Sequence, residues 1–263
     1  MNEPLNIDFN NGVCTLTLNR PHIHNAFDDV LINQLITTLQ ELESREDLRV
    51  LVITGAERTF SSGADLKWMK SMAEASAEVN REDALYLARL MRLLNTFPAP
   101  TIARVNGHAF GGGVGLIACC DIAIASDHSK FGLTEARLGL VPAVISPYVI
   151  RAIGERQARR YFLTAERFDA HHAVNIGLIH ELCAFESLDD HTNKIIANLL
   201  ASGPMAQKEC KCLISRIGKH SPAEQRRVDE NTADLIARLR TGEEGQEGMQ
   251  AFFDKRPPAW SQK

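Results

Sequence analysis

No Cys-x-x-Cys pair occurs in this 263-residue chain, although it has six cysteines, at 14, 119, 120, 183, 210 and 212. That spacing argues against a zinc site and against a disulfide framework, and it fits reduced thiols in a reducing compartment. Cys119 and Cys120 lie inside an apolar run, as buried thiols do. Positive charge is not in excess either. The formal net charge is −4, so no global field recruits nucleic acid. No apolar run approaches the ~18 residues that a membrane helix needs. The N-terminal MNEPLNIDF lacks a basic region followed by an apolar stretch, and it lacks the Arg-rich pattern of a transit peptide. The expectation is a cytoplasmic chain with no membrane, nucleic-acid or metal partner. There is no G-x-G-x-x-G after a first strand and no G-K-S/T after a glycine run, so neither a dinucleotide fold nor a P-loop is supported. Repeats of short period, low-complexity tracts and long linkers are also missing.

What is present is an ordinary globular balance, 44% hydrophobic and 24% charged. The length suits one core with an appended helical segment, divided here as 1–200 and 201–263. Leu5–Phe9 and Val13–Leu18 alternate around Asn10-Asn11-Gly12, a hairpin pattern. Val30, Leu31, Leu35, Ile36, Leu39 and Leu42 recur at helical spacing between Asp28 and Ser44. Val50–Thr54 is a continuous run suited to a strand buried on both faces. Residues 57–65 form a loop, a short helix covers Leu66–Met72, and 73–82 is a mobile connection. A helix then runs to Leu94, followed by a strand at Thr101–Val105 and a buried helix at Val114–Cys120. Two short strands lie at Asp121–Ala125 and Ser129–Leu133, and helices dominate beyond Ser146. Strand–helix units giving way to helices predict an α/β core with a helical C-terminal piece.

Three segments can carry chemistry. Phe60-Ser61-Ser62-Gly63-Ala64-Asp65 joins a strand to a helix, where backbone N–H groups lack helical acceptors. The simpler reading is a capped turn with Asp65 as N-cap, and on this segment alone it is favoured. The second segment, Asn106 to Gly113, also follows a strand and opens a helix, and its three glycines let backbone approach an anion closely. Two such loops can supply one N–H each to an oxyanion hole, a donor being worth ~3–4 kcal/mol. In the third, Phe131 to Gly139, Glu135 sits among apolar residues at a strand end, where desolvation raises a carboxyl pKa toward acid/base usefulness. Taken alone, Glu135 reads more simply as a solvated carboxylate that pairs with Arg137 or starts a helix.

The stretches NRPHIHNAF (19–27), FSSGADL (60–66), NGHAFGGG (106–113), CDIAIAS (120–126), FGLTEARLGL (131–140) and MQAFFDKRPPAW (249–260) together resemble the crotonase (enoyl-CoA hydratase/isomerase) family, from residue 5 to the C-terminus. The resemblance implies an α/β spiral of ββα units with a helical C-terminal trimerisation segment, assembling as a homotrimer or a hexamer. It implies a coenzyme A thioester as substrate, with no separate cofactor. The thioester oxygen would lie between the N–H groups of Ala64 and Gly112, with Glu135 as the acid/base. The coenzyme A arm would run along His22, Ile23 and His24 and along Ala64, Asp65 and Leu66. Phe252 and Lys255 match positions that often reach a coenzyme A bound to a neighbouring subunit.

Two departures matter. Two-glutamate hydratases of the family carry their first catalytic Glu two residues after the GGG run, where this chain has Gly115. After Pro142, where many relatives continue with glycines, it reads Ala143-Val144-Ile145-Ser146. The stretch 140–168 resembles bacterial hydratases of 3-methylglutaconyl-CoA in leucine degradation, a branch similar in carrying Gly at that first position. Hydration of an enoyl-CoA with Glu135 alone is therefore the expectation. The alternatives are a Δ3-Δ2-enoyl-CoA isomerase, or a non-catalytic or RNA-binding relative. A branched glutaconyl ester bears a free carboxylate, for which Lys67, Lys70 and Arg137 are candidate partners. The Arg156, Arg159, Arg160 cluster and the His171-His172 pair read as helix surface, and His108 as a residue that borders coenzyme A or is structural.

Overall fold

The computed structural model describes residues 3–218 and 222–261. The chain opens with the hairpin β1 (Leu5–Asn10) and β2 (Val13–Leu18), whose register places Asn10 opposite Val13. Asn11 and Gly12 both have positive φ, as a tight two-residue turn of this twist requires. Helix α1 (Asp29–Glu43) starts where the Asp28 carboxylate accepts the Leu31 N–H at 3.0 Å. It buries Leu31, Leu35, Ile36, Leu39 and Leu42, but Val30 is 55% exposed and belongs to the outer face.

Next come β3 (Val50–Gly55), β4 (Thr59–Ser61), α2 (Leu66–Glu74) and α3 (Ala77–Asn95). Then follow β5 (Thr101–Val105), β6 (His108–Phe110) and α4 (Gly112–Cys119). The third unit is β7 (Ile122–Ser126), β8 (Lys130–Gly132), a 3-10 turn at Glu135–Leu138, and α5 (Ser146–Thr164). Each unit gives its first strand to a six-stranded sheet, ordered β1-β2-β3-β5-β7-β10, and its second to a four-stranded sheet, ordered β4-β6-β8-β9. Successive units pair in parallel, so the chain winds as the expected spiral of ββα turns. The last strands are β9 (Arg167–Asp169), antiparallel to β8, and β10 (Glu181–Cys183), parallel to β7. The helix α6 (Ala170–Asn175) lies between them.

Strands β3 and β5 are buried on both faces. Leu51, Ile53, Ala103 and Val105 enter the main core, while Val50, Val52 and Ile102 pack under α7 (Leu188–Leu200). Beyond α7 lie α8 (Pro204–Ile217), α9 (Pro222–Thr241) and α10 (Glu243–Phe253). Helix α8 buries none of its residues, whereas α9 packs along α3 and buries Ala233, Ile236 and Ala237.

Three loop expectations are corrected. The loop at 57–65 contains β4, and the second glycine segment contains β6, strands too short to show a period of two. The connection at 73–82 is a two-residue corner, since α3 begins at Ala77 with Ser76 as its cap. Its polarity belongs to the outer face of α3. Asn80 is fully buried and donates to the carbonyls of Met72, Ala75 and Ser76, which fixes the corner.

Candidate active site

The strand ends of β4, β6 and β8 lie side by side, and the loops that follow them meet. After β4, Gly63 adopts φ +86, and a Cβ there would stand 2.9 Å from the Phe110 carbonyl oxygen. Only glycine fits that turn. Asp65 caps α2, accepting the N–H groups of Lys67 at 2.8 Å and Trp68 at 3.2 Å. It also pairs with Arg20 at 3.3 Å. Phe27 clamps the loop from outside: its N–H donates to Gly63 O, and its carbonyl accepts from the Asp65 N–H, both at 2.8 Å. The Ala64 N–H between them donates to no carbonyl among the described residues.

After β6, Gly111 (φ +49) turns the chain into α4, with Gly112 as the first helical residue. The Gly112 N–H therefore has no intrahelical acceptor. A Cβ on Gly112 would stand 2.4 Å from the Phe27 ring, and one on Gly63 would stand 3.6 Å from the Gly112 nitrogen. The two loops thus touch, each held at backbone distance by glycine.

Glu135 follows β8 and opens the 3-10 turn. The Gly111 N–H donates to the Gly132 carbonyl at 2.9 Å, tying this third loop to the second. A Cβ on Gly111 would lie 3.2 Å from Glu135 Oε1, so the carboxyl rests against the glycine turn. Its Oε2 is buried and has no hydrogen-bond partner among the described residues, so the pairing with Arg137 is not formed. Burial pushes the pKa from 4.5 up to about 7, with a backbone hydrogen bond pulling weakly the other way. A group with that value can both take and give a proton near neutrality.

Ala64, Gly112 and Glu135 open onto one pocket of about 450 Å³. Its far side is apolar and comes from α3 (Ala84, Leu87), α9 (Ile236) and α10 (Met249, Phe252). Glu135 is the one acidic residue among the described residues that line it. At Gly115, a Cβ would meet Ile145 Cγ2 at 2.3 Å and Met91 Cε at 3.3 Å. The volume that a side chain at 115 would need is already filled.

Of the residues singled out in the sequence, Ala64, Leu66, Gly112, Glu135 and Phe252 line the pocket, and Phe252 does so in its own chain. His22, Ile23, His24, Asp65 and Lys255 do not line it. The first three stay beside it, because Ser62 donates through its N–H to His24 O at 2.9 Å and through its hydroxyl to Ile23 O at 3.3 Å. Arg137 lines the pocket, whereas Lys67 and Lys70 are exposed and do not. His108 accepts the Lys130 N–H at 3.1 Å and lies outside the lining. Sequence reasoning missed Trp68, Ile236 and Arg240, which reach the pocket from helix faces with no motif to mark them. No group of three His, Cys, Asp or Glu among the described residues is placed to hold a metal ion. None of the described helices is long and apolar enough to cross a membrane.

A family model described as enoyl-CoA hydratase/isomerase matches residues 8–263. The chain belongs to this family. A hydroxycinnamoyl-CoA hydratase-lyase of Pseudomonas fluorescens is 32% identical over 263 residues, covering 96% of this chain and 92% of its own. An enoyl-CoA hydratase structure from Shewanella pealeana is 45% identical with a TM-score of 0.81, over 98% of this chain and 96% of its own. Another, from Mycobacterium avium, is 35% identical with a TM-score of 0.85, over 99% and 100%. The spiral described above is thus the crotonase fold, and members of the family act on acyl-coenzyme A substrates.

Proposed function

We propose that the protein is an enoyl-CoA hydratase-type lyase, with Glu135 as its single acid/base residue. The observation that carries this reading is the desolvated Glu135 carboxyl, with pKa about 7 and with Oε2 unpartnered among the described residues, resting against the Gly111–Gly112 turn. The thioester oxygen accepts from the N–H groups of Ala64 and Gly112, which stabilise negative charge as it develops there. Water adds at C3, its proton passes to Glu135, and the π electrons move to the thioester oxygen as an enolate. Glu135 then returns the proton to C2 and the carbonyl re-forms. One carboxyl suffices when it handles both transfers on one face. The coenzyme A arm lies along His22–His24 and Ala64–Leu66, with Phe252 and Lys255 near its end. The acyl group of choice is a branched glutaconyl ester of the 3-methylglutaconyl type. The exposed Met205, Leu213, Ile214 and Ile217 on α8 support assembly into a trimer or a hexamer.

One observation favours a second reading. With Ile145 filling the space beside Gly115, no second carboxylate can help position water, which suits a Δ3-Δ2-enoyl-CoA isomerase that shuttles a proton between carbons. Incubating the protein with a 3-enoyl-CoA and with a 2-enoyl-CoA, followed by product analysis, separates the two. A 3-hydroxyacyl-CoA product supports hydration. Accumulation of the 2-enoyl ester without any 3-hydroxy product replaces it with isomerisation.

A further inference from the structure

The apolar end of the pocket holds one polar assembly that the proposed chemistry leaves unused. Arg240 of α9 lines the pocket there. Its Nη1 donates to Asp83 Oδ2 at 3.0 Å and to Asn80 Oδ1 at 3.3 Å. The Arg240 and Asp83 side chains are 15% and 11% exposed. Asn80 is itself fixed by the corner between α2 and α3, so the guanidinium is held from two sides. No acceptor among the described residues engages its Nε or Nη2, and its carbon lies 6.0 Å from the centre of the Trp68 ring.

Trp68 is 7% exposed and lines the same pocket. Burial pushes the Asp83 carboxyl up, Arg240 pulls it back, and the Trp68 indole N–H adds a smaller pull. That N–H is turned toward Asp83 and is shielded from the pocket, so Trp68 borders the chamber with its ring.

The plain alternative is an ion pair that fastens α9 onto α3. Arg81–Asp234 and Arg92–Asp229 already join these helices, and none of those four residues lines the pocket. Arg240 differs in lining the chamber with part of its fork free. A guanidinium only donates, so its ligand must be an acceptor.

We infer that Arg240, flanked by the Trp68 ring, forms a subsite for an acceptor oxygen on the distal part of the acyl chain, which selects oxygenated acyl-coenzyme A esters over plain alkyl ones. The inference rests on the acyl-coenzyme A reading above. Asp83 and Asn80 are positioning residues that aim the guanidinium. The oxygen can come from a carboxylate or from a neutral hydroxyl group, and the charge on Asp83 separates the two. Replacing Asp83 by Asn leaves Arg240 uncompensated and shifts preference toward the carboxylate.

The test compares kcat/KM for crotonyl-CoA, glutaconyl-CoA and an ω-hydroxy-2-enoyl-CoA in the wild type and in Arg240→Met and Trp68→Phe. The expected result is a wild-type preference for one oxygenated ester, reduced about tenfold or more by Arg240→Met and less by Trp68→Phe. A structural role lowers all three esters in proportion, and an unchanged ratio overturns the subsite. Arg240→Met leaves Asp83 unpaired and can fail to fold. Trp68→Phe leaves the Arg240–Asp83 pair in place, keeps an aromatic face beside the guanidinium and reads the same ratio. Calorimetric binding of glutaryl-CoA, 4-hydroxybutyryl-CoA and butyryl-CoA to the wild type reads it without mutation. Equal Kd values for the three overturn the inference. If no enoyl ester turns over at all, the lyase reading fails, while the binding comparison still judges the subsite.

Discussion

On the floor of the pocket, Ala64, Gly112 and Glu135 are placed almost entirely by backbone. The second and third loops share a main-chain hydrogen bond, the first is bonded to Phe27 and His24, and at Gly63, Gly112 and Gly115 there is no room for a Cβ. On the roof, Ala84, Ile236, Arg240 and Phe252 arrive on three helices and are placed by side-chain packing and by the Asp83–Arg240 pair. A floor built from amides has one geometry and serves whatever carbonyl is presented to it. A roof built from side chains can change residue by residue without moving the amides. On the proposed function the difference would separate reaction from selectivity: floor changes should depress turnover of every ester, and roof changes should re-rank the esters.

The largest effect expected is for Glu135→Gln, which keeps shape and removes the titrating group. Its kcat should fall about 10²–10⁴-fold for all acyl chains. In the wild type, kcat/KM for hydration should rise with pH through about 7 as the carboxyl ionises, and the variant should lose that limb. Near-normal turnover by the variant would remove Glu135 from the chemistry. Gly112→Ala comes next. Its Cβ would stand 2.4 Å from the Phe27 ring and must displace the amide. A drop of about 10²–10³-fold in kcat is expected, and unchanged kinetics would refute the oxyanion role.

The third prediction concerns stability. Glu135 has a raised pKa, so the folded state binds its proton more tightly than the unfolded chain does. Stability is therefore lost as pH climbs from 4.5 through about 7. Above that window, Glu135→Gln should be more stable than the wild type by an amount on the order of 3 kcal/mol. Below 4.5 the difference should vanish. Urea titrations at pH 4 and pH 8 measure both ends, and a constant difference would contradict the buried carboxylate. The smallest effect is structural. Gly115→Glu should not restore a two-glutamate site, because Ile145 occupies its space. It should destabilise by about 1–3 kcal/mol, and adding Ile145→Gly should recover part of the loss in a thermal melt. Full stability in the single variant would show that the wall yields.

The same division explains what could be read from the sequence. Strands β3 and β5 and helix α1 were legible because their periods are long enough to count. Of the floor, the glycine turns at 63 and 111–113 were legible, whereas Glu135 taken alone read as a solvated carboxylate and was singled out only through the family resemblance. The three-residue strands β4 and β6 were hidden, since each spans little more than one period. The roof was hidden for another reason. Arg240 lies far along the chain from Asp83 and Trp68, and nothing in a helical pattern says which charged residue turns inward. The 73–82 segment misled for the same reason, because polarity marks the outer face of α3 as readily as a loop, and Asn80 is polar yet buried.

The residues lining the pocket run from Phe27 to Pro258. Helix α10 packs against the 3-10 turn that carries Glu135, closely enough that a Cβ on Gly139 or Gly248 would collide. The last long helix of the chain thus reaches the turn where burial lifts the proton affinity of the Glu135 carboxyl, and a polypeptide stopped before α10 should hold Glu135 nearer to an ordinary glutamate.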